Sequence, residues 1–194
     1  TWTDSWMSTR LHAVQLTGLT PATRYGYQIH TGATSSALRH FVTPPAPESE
    51  SDFRLVAVSD MQRSSGHPTK WNEVIHEGII DYLQDTYEAT PEEALGLVLV
   101  PGDLVDSGWT YAEWEETFFD PAADLMSRVP FYPVPGNHEA NTPFFFDYFN
   151  LPDNGTDDYL EHWWFHDYSN VRVIGLDSNL GFTIQAQLDW LDGV

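Results

Sequence analysis

Three apolar runs in this sequence end directly on acidic or amide side chains. Phe53-Arg54-Leu55-Val56-Ala57-Val58-Ser59 leads into Asp60, and Leu97-Val98-Leu99-Val100-Pro101-Gly102 leads into Asp103, with Asp106 and Gly108 just beyond. Phe131-Tyr132-Pro133-Val134-Pro135-Gly136 leads into Asn137-His138-Glu139. Carboxylate and amide oxygens are hard donors suited to divalent cations. Two such ions roughly 3.5–4 Å apart polarise a phosphoryl oxygen and lower the pKa of a bound water from about 15.7 to about 7. That makes hydroxide at neutral pH and needs no protein nucleophile. A histidine beside an amide ligand can protonate a leaving group or stabilise phosphoryl charge, worth roughly 10²–10⁴-fold as a general acid.

Such side chains act together only if the backbone brings them together. Short apolar runs bounded by turn residues suit strands covered on both faces, and in open α/β sheets chemistry lies just beyond the strands' carboxyl ends. Gly102, Gly108 and Gly136 permit tight turns there. After the first strand, Trp71, Ile75, Ile79 and Tyr82 mark one face of a helix over Thr69 to Tyr87. Thr90-Pro91-Glu92-Glu93 reads as a capped turn leading into the central strand, and Thr110 with Glu113 reads as a capping box. Tyr111, Trp114 and Phe118 line the helix that follows, which Asp120-Pro121 should break before a second helix over Ala122 to Arg128. Asn141-Thr142-Pro143 opens a short helix whose Phe144, Phe145, Tyr148 and Phe149 read as core or pocket wall. A hairpin follows, His162 to Asp167 and Val171 to Leu176, turning at Ser169-Asn170 and ending at Asp177. His162 and His166 would share a strand face there and read as ordinary strand residues. Ile184 to Leu191 closes the chain as a helix. Strands alternating with helices point to βαβ units and a largely parallel sheet.

The N-terminal texture differs. Short β-like runs at His12 to Leu16, Thr23 to Thr31 and Ala37 to Thr43 suggest an all-β unit over residues 1–44, with no clear element before Leu11. The Pro-rich, then acidic residues 45–52 read as an extended linker, and the α/β domain occupies 53–194. The 194 residues include no cysteine, which excludes disulfides, thiolate metal sites and a cysteine nucleophile. Acidic residues outnumber Lys and Arg 29 to 8, a formal charge of −21, so nucleic-acid binding through basic patches is not expected. No apolar run has membrane-spanning length.

Gly102-Asp103-Leu104-Val105-Asp106-Ser107-Gly108, followed by Gly136-Asn137-His138-Glu139, resembles the second and third motifs of the calcineurin-like metallophosphoesterases. Asp60 stands where the first motif belongs. The order Phe149, Trp164, Leu176-Asp177-Ser178, Gln187 and Trp190-Leu191 is similar to that in purple acid phosphatase relatives. Leu19-Thr20-Pro21-Ala22-Thr23-Arg24-Tyr25 resembles the tyrosine corner of a fibronectin type III domain, with Tyr25 as the corner residue.

The resemblance implies an α/β (α+β) fold, the N-terminal half of a metallophosphoesterase α-β-β-α sandwich, preceded by part of a fibronectin type III-like β domain. It implies two divalent ions, with Mn, Fe or Zn favoured over Mg or Ca. Asp60 would hold the first ion, Asp103 would bridge both, Asn137 would hold the second, and His138 would contact the phosphate. Asp106 and Glu139 would orient His138 and its loop, while Asp177 would support the site or cap its own strand. Two departures qualify this. The first motif usually reads Asp-x-His, whereas here Gln62 takes the histidine's place, as a carbonyl ligand or a water holder. The tyrosinate of purple centres is replaced by Asp106, so a purple Fe(III) centre is not expected. The family also uses later histidines, ending in a Gly-His-x-His motif, that no residue to Val194 matches, so this chain is expected to be poorly active alone. The implied function is metal-dependent hydrolysis of small phosphate mono- or diesters in an extracellular or periplasmic protein. The alternatives are a non-catalytic surface or adhesion scaffold with a degenerate phosphoesterase fold, and a nucleotide or sugar-nucleotide pyrophosphatase.

Overall fold

The computed structural model describes residues 2–3, 10–179 and 184–194. Two short strands where no element was expected, β1 (Trp2–Thr3) and β2 (Arg10–Leu11), pair antiparallel. Residues 12–16, expected as a strand, are in none. Val14 and Leu16 are exposed, so the alternation that suggested a strand has no surface to bury against. β3 (Arg24–Tyr27) pairs antiparallel with β6 (Arg39–Val42), and β4 (His30–Thr31) forms a tight hairpin with β5 (Thr34–Ser35). Tyr25 stacks on Phe41, and its hydroxyl accepts a hydrogen bond from the Thr20 amide at 2.9 Å. Within residues 45–52, Ser49 O accepts from Ser169 Oγ at 2.7 Å and the Glu48 amide donates to Ser169 O.

Beyond them, β7 (Leu55–Ala57), β8 (Leu97–Val100) and β9 (Phe131–Pro133) form a parallel sheet in the order 7-8-9, with Val98 opposite both Val56 and Phe131. The first crossover is α1, residues 70–87, whose middle, Val74–Asp81, is wound as a π-helix. Its apolar face carries Trp71, Ile75, Ile79 and Leu83 into the core. A short helix, α2 (Pro91–Ala94), precedes β8, and Glu93 accepts from both the amide and the hydroxyl of Thr90.

The second crossover corrects the expected break at Asp120-Pro121. Residues 111–126 form one helix, α3, with π-helical winding over Trp114–Phe119 immediately before the proline. Proline lacks an amide and crowds the preceding turn, and a wider turn at that point absorbs the mismatch. The capping box expected of Thr110 and Glu113 does not form either. The Glu113 carboxylate instead accepts from the Ser107 amide at 2.7 Å, holding the loop after β8. Helices α1 and α3 lock together where Trp71 stacks on Phe118 and its indole N–H donates to Phe118 O at 3.1 Å.

After β9 come α4 (Pro143–Tyr148), the hairpin β10 (Trp164–Tyr168) with β11 (Val171–Gly175), and α5 (Gln185–Leu191). The hairpin packs on the sheet through Trp164 and His166 against Tyr132. Tyr132 OH lies 2.9 Å from His166 Nε2, and burial pushes the tyrosine up to about 12, so it meets the imidazole as a neutral phenol. Burial pulls His166 below the usual histidine value. The fold therefore holds neutral His166, a contribution complete above the unfolded value of about 6.5 and lost as pH falls through the depressed folded value. Between pH 7.5 and 5.5 the wild type is expected to lose more thermal stability than His166→Phe; equal losses in parallel melts would contradict this.

Side chains of β3 and β6 are bonded to α2 and to the end of α3. The buried Glu92 carboxylate takes Arg24 at 2.9 Å and Arg128 at 3.2 Å, Arg39 pairs with Asp124 at 2.6 Å, and Tyr27 OH donates to Ser127 O. No helix among the described residues is long and apolar enough to cross a membrane.

Candidate metal centre

The three strand ends meet, joined by their own backbones. Beyond β7 the Asp60 amide donates to Gly102 O at 3.4 Å and the Met61 amide to Asp103 O at 3.0 Å. Beyond β9 the His138 amide donates to Asp103 Oδ1 at 3.2 Å, and Gly108 N donates to His138 O at 2.9 Å. Asp60 and Asp103 have the same unusual backbone, φ +58° and +55°. Aspartate is among the few side chains that tolerate the left-handed region, and strain of this kind concentrates at functional turns. Gly136 passes so close to Asp103 that a Cβ there would overlap the aspartate's carboxylate and amide. Only glycine lets the Asn137 loop close onto Asp103.

Glu139 fastens the assembly. Its carboxylate is fully buried and accepts four backbone N–H groups. One oxygen takes Asp103 at 3.0 Å and Gly136 at 2.7 Å, while the other takes Leu104 at 2.8 Å and Val105 at 3.3 Å. Burial raises its pKa while these donors oppose the rise. With two donors on each oxygen there is no acceptor for a carboxyl proton, so the ionised form is the one that fits. Glu139 thus braces the Asp103 and Gly136 turns directly. Asp106 orients His138 through its carbonyl, 2.7 Å from Nδ1, with its exposed carboxylate 3.8 Å away. This bond, with the nearby Asp103, Asp106 and Glu139 charges, raises the His138 pKa. An N–H at Nδ1 directs the Nε2 edge away from the loop.

The donors available to a cation are the Asp60 and Asp103 carboxylates and the Gln62 and Asn137 amides. Among the described residues no three His, Asp or Glu side chains group as a metal cluster. Gln62 Oε1 is buried with no hydrogen-bond partner. An unsatisfied buried acceptor costs about 1–3 kcal/mol, a cost that coordination of a cation would remove. Asn137 is exposed, and among the described residues its side chain makes no hydrogen bond. The set is all oxygen and fits hard or borderline divalent ions.

Asp177 is fully buried at the end of β11. It accepts from the Asn179 amide at 2.7 Å, and His162 Nδ1 lies 2.6 Å from its other oxygen. Asn179 Nδ2 in turn donates to Pro135 O and Gly136 O at 2.8 and 2.9 Å, so Asp177 braces the Asn137 loop through Asn179. Sequence reasoning passed over Asn179; an amide two residues after an Asp at a strand end was its only signal. His162 and His166 do not share a strand face. His162 lies in the turn before β10, drawn to Asp177, while His166 faces Tyr132.

The sequence profile of the calcineurin-like phosphoesterases matches residues 53–192. The chain belongs to this family. Acid phosphatase A of Cryphonectria parasitica is 28% identical across 67% of this chain and 30% of its own length. A protein of Arcobacter nitrofigilis named probable glycerophosphodiester phosphodiesterase GpdQ is 28% identical across 71% of this chain and 50% of its own. The structure of purple acid phosphatase PPD1 from yellow lupin (Lupinus luteus) seeds superposes with a TM-score of 0.66 at 21% identity, covering 92% of this chain and 34% of that one. This chain therefore spans 30% to 50% of these relatives' length, and the likeness to PPD1 establishes a shared fold.

Proposed function

We propose that the centre holds two divalent cations and hydrolyses phosphate mono- or diesters. The observation that carries this is the junction of Asp60, Asp103 and Asn137-His138 by direct hydrogen bonds, beside a buried Gln62 oxygen that lacks a partner. Asp60 and Gln62 would hold one ion, Asn137 the other, and Asp103 both. When bound, such ions supply Lewis acidity, drawing charge from a phosphoryl oxygen and making water acidic enough to lose a proton near neutral pH. His138, fixed by Asp106 O, presents Nε2 to stabilise phosphoryl charge or to protonate the leaving oxygen. Glu139 and Asn179 keep the turns in register without touching substrate. Mn, Fe and Zn are the ions that suit this donor set, Mn first because carboxylate and carbonyl oxygens dominate it. Residues 1–44 are assigned, on the Thr20–Tyr25 bond, to the end of a fibronectin type III-like unit, 45–52 to a linker and 53–194 to the phosphoesterase domain. An extracellular or periplasmic setting goes with that assignment.

The test is a Mn²⁺ titration by calorimetry beside turnover of p-nitrophenyl phosphate. Metal binding with metal-dependent turnover supports the reading, and no binding would leave a scaffold. Gln62→His is expected to tighten Mn²⁺ or Zn²⁺ by about tenfold, since an imidazole is the stronger donor. Unchanged affinity would remove Gln62 from the ligand set.

A further inference from the structure

Beside Asp60 and Gln62 a cleft of about 570 Å³ runs outward between the 63–72 segment and α3. Arg63 and His67 line one wall and Thr117 the other. Arg63 stands apart from the other Lys and Arg side chains among the described residues. Arg24, Arg39, Lys70, Arg128 and Arg172 each pair with a carboxylate, and Arg54 lies 4.0 Å over the Tyr87 ring. Among the described residues the Arg63 side chain has neither kind of partner, although acids outnumber Lys and Arg 29 to 8. Glu116, on the opposite wall, forms no ion pair with it. An unpaired guanidinium, in a cleft that also takes in Asp60 and Gln62, offers five N–H donors in a planar fork matched to carboxylate or phosphate.

We propose that this cleft receives the leaving-group end of the substrate, that the leaving group carries a second anionic group, and that Arg63 is its counter-charge. The inference rests on the phosphoesterase reading and names its substrate class. A protein of charge −21 repels a polyanionic ester at long range, so a local cation is needed to orient one. The cleft's size accommodates a small organic moiety next to the reacting phosphoryl group. The thiol-free, mixed polar wall adds orientation through Thr117, with His67 as a second donor across the turn from Arg63.

The test uses two phosphonates of similar size that cannot be hydrolysed, 2-carboxyethylphosphonate and 3-hydroxypropylphosphonate, titrated calorimetrically into the Mn²⁺-loaded protein. The wild type is expected to bind the carboxylate compound about tenfold more tightly, as one charge-assisted contact predicts. Arg63→Met is expected to bring the two affinities within about twofold, and Arg63→Lys to restore part of the difference. Equal affinities in the wild type, or a preference that survives Arg63→Met, would overturn the proposal. Turnover of p-nitrophenyl phosphate by the wild type is measured alongside. Turnover without carboxylate preference removes the subsite and keeps the phosphoesterase reading. A preference lost in Arg63→Met without turnover keeps the anion subsite and removes the hydrolytic reading.

Discussion

Glu139→Gln is expected to destabilise the protein almost as much as Glu139→Ala, by about 3–5 kcal/mol. The reason is the symmetry of demand around the carboxylate. Each oxygen faces two backbone donors, Asp103 and Gly136 on one side and Leu104 and Val105 on the other. A glutamine fills the same space but has only one acceptor oxygen, and its NH₂ group would confront two N–H groups. Alanine leaves all four donors unsatisfied, some of which water entering the vacated space would recover. In urea denaturation both variants should unfold at markedly lower midpoints, and Mn²⁺ affinity should fall with them because the Asp103 and Gly136 turns are no longer pinned. A Gln variant within about 1 kcal/mol of wild type would show that the clasp contributes little beyond its volume.

The same bonds show why parts of this architecture were readable from sequence and others were not. The three strands and α1 followed from local periodicity: the helix expected over 69–87 occupies 70–87, and the hairpin turns at Ser169 as anticipated. The placement of Asp60, Asp103 and Asn137 at strand ends was legible because turn chemistry is local: each follows an apolar run, Asp103 and Asn137 directly behind a glycine, and the two aspartates accept a left-handed backbone. What the pattern hid depends on partners distant in the chain. Pro121 signalled a break, yet the π-wound turn before it and the Trp71–Phe118 contact from α1 keep α3 continuous. Glu113 had the spacing of a cap, but a loop folding back from β8 offered it the Ser107 amide instead. Asn179 is 43 residues from the Gly136 carbonyl it holds, and no local rule connects them. The burial of Gln62 Oε1 is likewise a property of packing, invisible in the motif itself.

Asp103→Asn should separate the centre's chemistry from its architecture. Asparagine adopts the left-handed backbone that Asp103 requires at φ +55°, and its side-chain oxygen can still accept the His138 amide. The fold should therefore survive, with a melting temperature close to wild type, unlike the Glu139 variants. What disappears is one negative charge at the position assigned to both cations. Metal-dependent turnover of p-nitrophenyl phosphate is expected to fall at least about 100-fold, the upper end of what loss of a mere supporting group costs. Mn²⁺ affinity should fall in the same titration, and because the charge and not the shape has been removed, raising the metal concentration should recover little of the rate. Near-normal turnover in a folded Asp103→Asn protein would sink the bridging assignment and move the centre's charge to Asp60 alone.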